Sequence, residues 1–217
     1  MSCRVVVLIS GNGSNLQALL DDAAKQHRDN GNYEIVAVFS NRPKAYGLER
    51  AASAKVEAHC IDHTGFSERL DFDMALLQEI DQFKPDLIVL AGFMRILTPE
   101  FVRHYTGRLI NIHPSLLPKY PGLNTHQRAI DAGDTETGAT VHFVTEELDG
   151  GPAIVQASVG IVDGDSAESL TQRIHLEEHR IYPLAVRLFA SGQLKLQGNK
   201  ALFNEEPLPA TGVTIKQ

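Results

Sequence analysis

The sequence predicts an α/β fold: an open, mostly parallel twisted sheet with helices on both faces and an antiparallel edge. Two observations predict it. In the first half of the chain, short β-branched apolar runs alternate with stretches whose apolar residues recur at helical spacing. In the second half, two further strand runs follow each other without a helical pattern between them. Alternating strands and helices favour a parallel sheet covered on both faces, and the successive strands favour an antiparallel addition at one edge.

The first half of the chain predicts five strands and four helices. The first strand is a β-branched run that ends at a glycine turn, and Leu16, Leu19 and Leu20 then follow at helical spacing. Pro85 marks the end of the third helix, whose apolar residues also keep the helical period. The predicted strands cover residues 4–10, 35–39, 57–61, 87–90 and 108–112, and the later helices cover residues 46–54, 67–83 and 99–104.

The second half predicts two strands, at residues 140–144 and 153–159, and one long helix at residues 166–190. Ser166 is a favourable N-cap for that helix, because its hydroxyl can accept a hydrogen bond from a backbone N–H of the first turn. Pro183 is expected to kink the helix, since proline removes one backbone hydrogen bond.

The tail after the long helix carries two short apolar runs, at residues 194–196 and 201–203. A Gly-Asn pair parts them, which indicates a hairpin, although a loose tail fits the same pattern. The chain contains no internal repeat, low-complexity tract or linker. We therefore expect one domain over residues 1–217, with residues 193–217 as the hairpin or tail.

Charge and composition limit the partners of the chain. A formal net charge of -7, from 27 acidic and 20 basic residues, argues against nucleic acid or an anionic membrane as the main partner. The two cysteines, Cys3 and Cys60, predict neither a disulfide framework nor a zinc-ligand pair. The N-terminus lacks a signal-peptide pattern, and no stretch approaches the roughly 18 apolar residues of a membrane helix. We expect a cytoplasmic protein without a membrane partner, and the oligomeric state stays open.

Residues 10–15, Ser-Gly-Asn-Gly-Ser-Asn, lie where the first strand leads into a helix. Backbone N–H groups and the helix dipole make such a turn an anion site, which would hold a phosphate without a lysine. A dinucleotide fingerprint would need a third glycine in place of Leu16 and an acidic residue at the end of the second strand. No Gly-Lys-Ser/Thr follows, so neither a nicotinamide cofactor nor a Walker loop is expected. The alternative is a tight turn alone, permitted by Gly11 and Gly13.

Asn111 and His113 lie two residues apart at the end of a predicted strand, so their side chains share one face while Ile112 points into the core. Pro114 stops the strand. An amide and an imidazole side by side can donate two hydrogen bonds to one developing oxyanion, and the imidazole can also pass a proton. That pair suits acyl transfer through a tetrahedral intermediate. A hydrogen-bonded structural histidine is the alternative that the pattern leaves open.

One carboxylate and two further histidines are candidate partners of the His113 imidazole. Asp149 lies in a loop between two predicted strands, where it could orient an imidazole or serve as an ordinary turn aspartate. His126 and His142 are conceivable metal partners of His113, but no metal-ligand spacing occurs and no metal is expected. A Gly-x-Ser-x-Gly nucleophile pattern is absent, so a covalent acyl-enzyme is unnecessary.

Four stretches carry a resemblance to a known family: residues 9–17, 91–97, 111–122 and 148–152. In these stretches the sequence resembles the folate-dependent glycinamide ribonucleotide formyltransferase family, and the match runs over about residues 5–188. The Asn-x-His-Pro-Ser-Leu-Leu-Pro run is shared by the wider formyltransferase superfamily, whereas the Gly-Asn-Gly-Ser-Asn turn is more particular to the glycinamide branch. The resemblance implies a Rossmann-like formyltransferase fold.

The resemblance also implies a reaction: formyl transfer from 10-formyltetrahydrofolate, as cosubstrate, to the amine of glycinamide ribonucleotide in purine biosynthesis. It implies that His113 is the general acid, that Asn111 assists at the oxyanion, and that Asp149 keeps the imidazole charged. Members of the family have glutamine at the position of His175. The implied ribonucleotide contacts are Gly13, Ser14, Asn15, Glu178 and His175, and the implied folate contacts are Arg69, Met94, Arg95, Ile96, Leu97 and Asn111.

Three other functions stay open at this point. Formylation of initiator methionyl-tRNA shares the Asn-x-His-Pro run, but the acidic charge and the lack of an RNA-contacting second domain disfavour it. A formyltetrahydrofolate hydrolase would use water in place of the amine. A non-catalytic module for folate or a phosphorylated metabolite would bind without turnover, and the joint presence of Asn111, His113 and Asp149 argues against it.

Overall fold

The computed structural model describes residues 2–28 and 33–216. Its strands are Cys3–Ile9 (β1), Tyr33–Ser40 (β2), Glu57–Cys60 (β3), Leu87–Leu90 (β4), Leu109–His113 (β5), Glu136–Phe143 (β6), Ala153–Gly160 (β7), Leu194–Gln197 (β8), Lys200–Phe203 (β9), Glu206–Pro207 (β10) and Val213–Lys216 (β11). Its helices are Ser14–Arg28 (α1), Gly47–Ser53 (α2), Arg69–Asp81 (α3), Pro99–His104 (α4), Thr125–Asp131 (α5) and Ala167–Ala190 (α6).

Eight strands form one sheet in the order β11-β7-β6-β5-β4-β1-β2-β3, and β10-β9-β8 form a separate three-stranded sheet. The pairs β1/β2, β1/β4, β2/β3 and β7/β11 are parallel, whereas β6/β7 is antiparallel. The predicted α/β class, with a mostly parallel sheet and an antiparallel addition, is therefore confirmed. The antiparallel pair does not itself form the sheet edge, because β11 lies outside β7.

The chain forms two compact units, Met1–Ile110 and Asn111–Gln217. In the first unit, β1 pairs with β2 on one side and β4 on the other, and its residues 5–9 are at most 1% exposed. A parallel strand with two neighbours buries both rows of its side chains, which explains its uninterrupted apolar run. Helix α1 contacts β2 and buries Leu16 and Leu19 completely or nearly so.

In the second unit, α6 packs on β6 and β7. Its contact face consists of fully buried apolar residues at helical spacing, among them Leu170, Ile174 and Ile181. The predicted N-cap is confirmed, because the Ser166 hydroxyl accepts from the Ser169 N–H while the Ser169 hydroxyl accepts from the Ser166 N–H. Among the described helices, none combines the length and the apolar composition that a bilayer-spanning segment requires.

Three elements lie outside the predicted pattern: α5, β11 and the two-residue strand β10, which pairs with β9. Helix α5 follows Asn124, a residue type favoured at helix starts, but this asparagine adopts a left-handed φ of 56° and makes no side-chain capping hydrogen bond. Strand β11 contains only two apolar residues and pairs in parallel with β7. Strands β8 and β9 form an antiparallel hairpin. That residues 1–217 act as one domain stays a prediction.

Gly138 on β6 leaves no room for a side chain. A Cβ at this position would lie 1.9 Å from the backbone oxygen of Ala157 and 2.8 Å from Cδ2 of Leu116. Because the first obstacle is backbone of the paired strand, we expect Gly138→Ala to lower the free energy of unfolding by about 1–3 kcal/mol, the usual cost of overpacking. Equilibrium denaturation in urea measures the change.

The matched control is Gly160→Ala on β7, where an added Cβ would meet no heavy atom within 4 Å. We expect this variant to stay within about 0.5 kcal/mol of the natural protein, as exposed substitutions usually do. Equal losses in both variants would contradict the packing argument.

Candidate active site

The last three residues of β5 carry the first two candidate catalytic side chains. Strand alternation places Asn111 and His113 on one face, whereas Ile112 is 8% exposed on the other. The His113 side chain is 7% exposed, so its ring lies almost entirely within the protein. A buried polar ring requires hydrogen-bonding partners on its nitrogens, and the structure supplies one for each.

Both ring nitrogens of His113 face acceptors. Nε2 lies 2.8 Å from the backbone oxygen of Tyr120, and Nδ1 lies 3.4 Å from Oδ2 of Asp149. Neither a carbonyl oxygen nor a carboxylate has a proton to give, so each of these contacts calls for an N–H on the ring. The surroundings of His113 therefore suit the doubly protonated, positively charged imidazole.

Asp149 lies in the loop between β6 and β7 and has a left-handed backbone with φ of 52°. Aspartate tolerates that conformation better than most residues. Its side chain is 8% exposed, and Oδ2 accepts a hydrogen bond of 2.9 Å from the backbone N–H of Gly122. This hydrogen bond and the contact with His113 hold the same oxygen. The loop therefore delivers a buried carboxylate to the imidazole.

His142, on β6, lies beside both of these groups. Its Nδ1 is 2.9 Å from the backbone oxygen of Phe143, and its Nε2 is 3.3 Å from Nδ2 of Asn111 and 3.8 Å from Oδ1 of Asp149. The ring is 2% exposed. Burial lowers the pKa of His142 strongly, since an imidazolium loses its hydration there, and the charge of His113 adds to the effect. These two influences outweigh the Phe143 hydrogen bond and the Asp149 charge, which raise the pKa, so the surroundings favour the neutral ring.

A buried hydrogen-bond network fixes the segment that follows His113. The Ser115 hydroxyl donates to the Lys119 carbonyl at 2.6 Å, and the Thr140 hydroxyl donates to the Ser115 carbonyl at 2.6 Å. The Gln156 amide donates to the Leu117 carbonyl at 2.7 Å. Strands β6 and β7 thus hold the backbone of Ser115 and Leu117, and the Ser115 side chain in turn holds the Lys119 carbonyl beyond Pro118. This network positions the Tyr120 carbonyl that accepts from His113.

Helix α6 contributes the two predicted ribonucleotide contacts of the second unit. Glu178 is 4% exposed and the His175 side chain is 47% exposed, with Nε2 of His175 4.0 Å from Oε2 of Glu178. Burial lowers the pKa of His126 on α5, and the charges of His175 and His113 add to the shift. Asn111, His113, Asp149 and His142 thus form one contact group, and His126 is the residue that both His113 and His175 influence electrostatically.

The glycine turn belongs to the first unit. Gly13 has φ of 75°, and a Cβ there would lie 2.9 Å from Cα of Gly47. The Arg50 guanidinium donates to the backbone oxygen and to Oδ1 of Asn12, at 2.9 and 3.0 Å. Ser14 is the first residue of α1, a helix of 15 residues. The turn is therefore tightly packed at Gly13, and it presents the N-terminus of a long helix.

The loop after β4 joins this turn within the first unit. The Met94 N–H donates to the Ser10 hydroxyl at 2.7 Å, and Ser10 donates to Oδ1 of Asn41 at 2.6 Å. Two apolar side chains of the loop are exposed, Met94 by 60% and Ile96 by 56%, whereas Leu97 is buried. The hydrogen bonds therefore hold the loop backbone in place, while the exposed side chains of Met94 and Ile96 are accessible to a ligand.

Two arginines accompany that loop. The Arg95 guanidinium lies 4.7 Å above the ring of Phe72 on α3, and Arg69, the first residue of α3, is exposed. The buried carboxylate of Asp73 accepts from the Thr98 N–H at 2.6 Å. Burial raises the pKa of Asp73, against the opposing influence of the Thr98 hydrogen bonds and the two arginines. Five of the six predicted folate contacts thus lie at one end of α3 and along the loop that follows β4, and the sixth, Asn111, lies on β5.

Sequence reasoning did not assign roles to three residues that hold these groups in place: Arg50, Tyr120 and His142. Tyr120 acts through its backbone, so its side chain gives no signal. His142 did carry a signal, because a histidine inside the run Ala-Thr-Val-His-Phe is a polar residue in a buried strand and must find partners. Among the described residues, no group of three or more histidine, cysteine or acidic side chains is placed to hold a metal ion.

Comparison with known proteins gives consistent matches over nearly the whole chain. Residues 3–186 match the family model described as formyl transferase. The chain is 54% identical to phosphoribosylglycinamide formyltransferase of Escherichia coli (strain K12), over 96% of this chain and 97% of that protein. It is 52% identical to the trifunctional purine biosynthetic protein adenosine-3 of Drosophila pseudoobscura pseudoobscura, over 88% of this chain and 14% of that protein.

A solved structure gives the same result. The phosphoribosylglycinamide formyltransferase of Coxiella burnetii superposes on this chain with a TM-score of 0.92 at 49% sequence identity. The superposition covers 99% of this chain and 100% of that structure.

The packing of the glycine turn yields a prediction about Gly13. Gly13→Ala would place a Cβ against the Gly47 backbone and force a left-handed alanine. We expect a loss of about 1–3 kcal/mol, equivalent to a thermal midpoint lower by roughly 2–4 °C per kcal/mol at this chain length. Differential scanning calorimetry measures the midpoint. Gly11→Ala is the matched control, because its Cβ would meet no heavy atom within 4 Å, and an equal loss in that variant would refute the argument.

Proposed function

The chain belongs to the formyl transferase family, and on that premise we propose that it transfers the formyl group of 10-formyltetrahydrofolate to the amine of glycinamide ribonucleotide in purine biosynthesis. The observation that carries the proposal is the contact group of Asn111, His113 and Asp149. A charged imidazole, an amide and a buried carboxylate within one group suit acyl transfer. The names of the similar proteins supply the substrates, and the trifunctional relative supplies the pathway.

The proposed mechanism is direct transfer. The ribonucleotide amine attacks the formyl carbon, and the formyl oxygen becomes an oxyanion in the tetrahedral intermediate. Protonated His113 and the Asn111 amide donate hydrogen bonds to that oxygen, while Asp149 keeps the imidazole charged. When the intermediate collapses, the bond from the formyl carbon to the folate nitrogen breaks. The folate nitrogen gains a proton, the ribonucleotide nitrogen loses one, and the formyl group is conserved.

The hydrogen bond between His113 and the Tyr120 carbonyl must be replaced before His113 can act. Its Nε2–H donates to the Tyr120 carbonyl, and Nδ1 faces Asp149. A substrate oxygen must therefore take the place of the Tyr120 carbonyl at Nε2, while the contact with Asp149 persists. Catalytic hydrogen bonds commonly reach their final geometry only with substrate bound.

Substrate binding is proposed for the remaining predicted residues. The N–H groups at the start of α1, at Gly13, Ser14 and Asn15, would hold the ribonucleotide phosphate, which the positive end of a 15-residue helix favours. The exposed apolar side chains of Met94 and Ile96 suit the flat, partly apolar ring system of a folate. Arg69, Arg95, Leu97 and Asn111 complete the proposed folate contacts, and Glu178 and His175 the proposed ribonucleotide contacts.

The function is tested with a 10-formyl folate in a spectrophotometric assay that follows deformylation. We expect turnover that requires glycinamide ribonucleotide, because the amine is the formyl acceptor. Parallel reactions contain water alone or methionyl-tRNA. Deformylation independent of any amine would identify a hydrolase, turnover with the tRNA would identify the other acceptor, and binding without deformylation would identify a binding module. Each of these results would overturn the proposal.

The assignment of His113 is tested by His113→Ala. We expect turnover to fall by roughly 100-fold to 10,000-fold, the range for loss of a general acid, while folate affinity measured by fluorescence titration changes little. His104→Ala is a matched control, because His104 is a surface histidine of α4 that pairs with Asp81. Near-normal turnover of His113→Ala would remove His113 from the mechanism.

A further inference from the structure

The Asn111 side chain has two chemically opposite ends, and only one of them suits an oxyanion. Nδ2 donates two hydrogen bonds, whereas Oδ1 only accepts. If the amide rotated by half a turn, it would present a lone pair to the developing negative charge. The proposed reaction therefore depends on a neighbouring group that selects the orientation of this amide.

His142 has the geometry to make that selection. Its Nδ1 faces the Phe143 carbonyl at 2.9 Å, and a carbonyl can only accept, so the proton of the neutral ring is on Nδ1. The other nitrogen, Nε2, then carries a lone pair, and Nδ2 of Asn111 lies 3.3 Å from it. The opposite amide orientation would set Oδ1 against the same lone pair, which is repulsive.

We propose that His142 is a positioning residue, whose unprotonated Nε2 holds the Asn111 amide with Nδ2 towards β6 and leaves the second N–H of that group for the substrate oxygen. The inference deepens the proposed function and rests on it. His142 itself touches no reacting atom. It acts through Asn111, in the way that a second hydrogen bond fixes the tautomer and direction of many catalytic side chains.

The charges around His142 define what protonation would do. Asp149, from the loop after β6, has Oδ1 3.8 Å from Nε2 and favours a proton there. Burial and the charge of His113 on β5 oppose it, and they prevail. An Nε2–H would point at the Asn111 amide donor and would also compete with His113 for Asp149. With the ring neutral, the Asn111 amide keeps its orientation and Asp149 keeps its contact with His113.

The tautomer of His142 is the first test and needs no substrate. Nitrogen-15 NMR of the protein labelled at histidine distinguishes a protonated from an unprotonated ring nitrogen, and His142→Gln assigns the signal. At pH 7.5 we expect Nδ1 of His142 to carry the proton and Nε2 to carry none. An Nε2–H tautomer or an imidazolium would overturn the inference, whether or not the proposed reaction occurs.

Two substitutions provide the kinetic test. His142→Gln keeps an acceptor near the place of Nε2, whereas His142→Leu removes it and keeps an apolar side chain in the strand. In the ribonucleotide-dependent assay we expect His142→Leu to lower kcat by about tenfold to 100-fold with both KM values little changed, since an interaction made only in the transition state is lost. His142→Gln should restore kcat to within about fivefold of the natural enzyme.

Coupling to Asn111 separates positioning from a merely structural effect. Asn111→Ala is expected to cost roughly 100-fold to 1000-fold in rate, the usual value for one oxyanion donor. Adding His142→Leu to that variant should cost at most about threefold more, because residues that act as a unit are non-additive. Full additivity, or equal rates for the natural enzyme and His142→Leu, would refute the inference while leaving the proposed function intact. A natural enzyme without ribonucleotide-dependent turnover would refute the proposed function, and the NMR result would still decide the tautomer.

Discussion

The contact between His113 and Asp149 is the interaction on which the rest of the site depends. Both side chains are less than a tenth exposed, so a proton on Nδ1 of His113 would face the Asp149 carboxylate rather than water. Breaking a buried ion pair by removing one partner commonly costs about 3–5 kcal/mol, because a buried charge is left uncompensated. The loop after β6 has a backbone path that places Asp149 beside His113. A Cβ at Gly151 would lie 1.8 Å from the Phe143 carbonyl, so only glycine lets the loop return close enough to bring Asp149 inward.

The contact between His113 and Asp149 also depends on the segment that follows His113. Ser115 and Leu117 have their backbone groups bound by Thr140 and Gln156, which lie on two neighbouring strands. These bonds are buried, and each replaces hydration that the backbone lost on folding. They turn the chain back so that the Tyr120 carbonyl and the Gly122 N–H reach the two members of the ion pair. One short segment therefore contacts both the acid and the carboxylate.

The sequence predicted most of the fold because its patterns are local. The buried strands β1 and β4 are uninterrupted apolar runs, and α6 has both helical spacing and a serine cap. Helix α5 and strand β11 carry weaker signals, because α5 has seven residues and no capping hydrogen bond and β11 is an alternating run of only four residues. For the site, residue type and spacing made Asn111, His113 and Asp149 candidates beside structural alternatives, and the family resemblance implied their roles. The contacts made by Tyr120 and His142 could not, because they depend on backbone atoms and on long-range register, which no spacing encodes.

The parallel pairing of β11 with β7 determines which strand forms this edge of the eight-stranded sheet. Without residues 213–216, the long strand β7 would expose a row of unpaired N–H and C=O groups, and such an open edge invites pairing with other chains. The approach to β11 is also close, since a Cβ at Gly212 would lie 2.5 Å from the Ile154 carbonyl. Strand β11 is then the outermost strand of the sheet, and its four residues present a shorter open edge than the eight residues of β7 would.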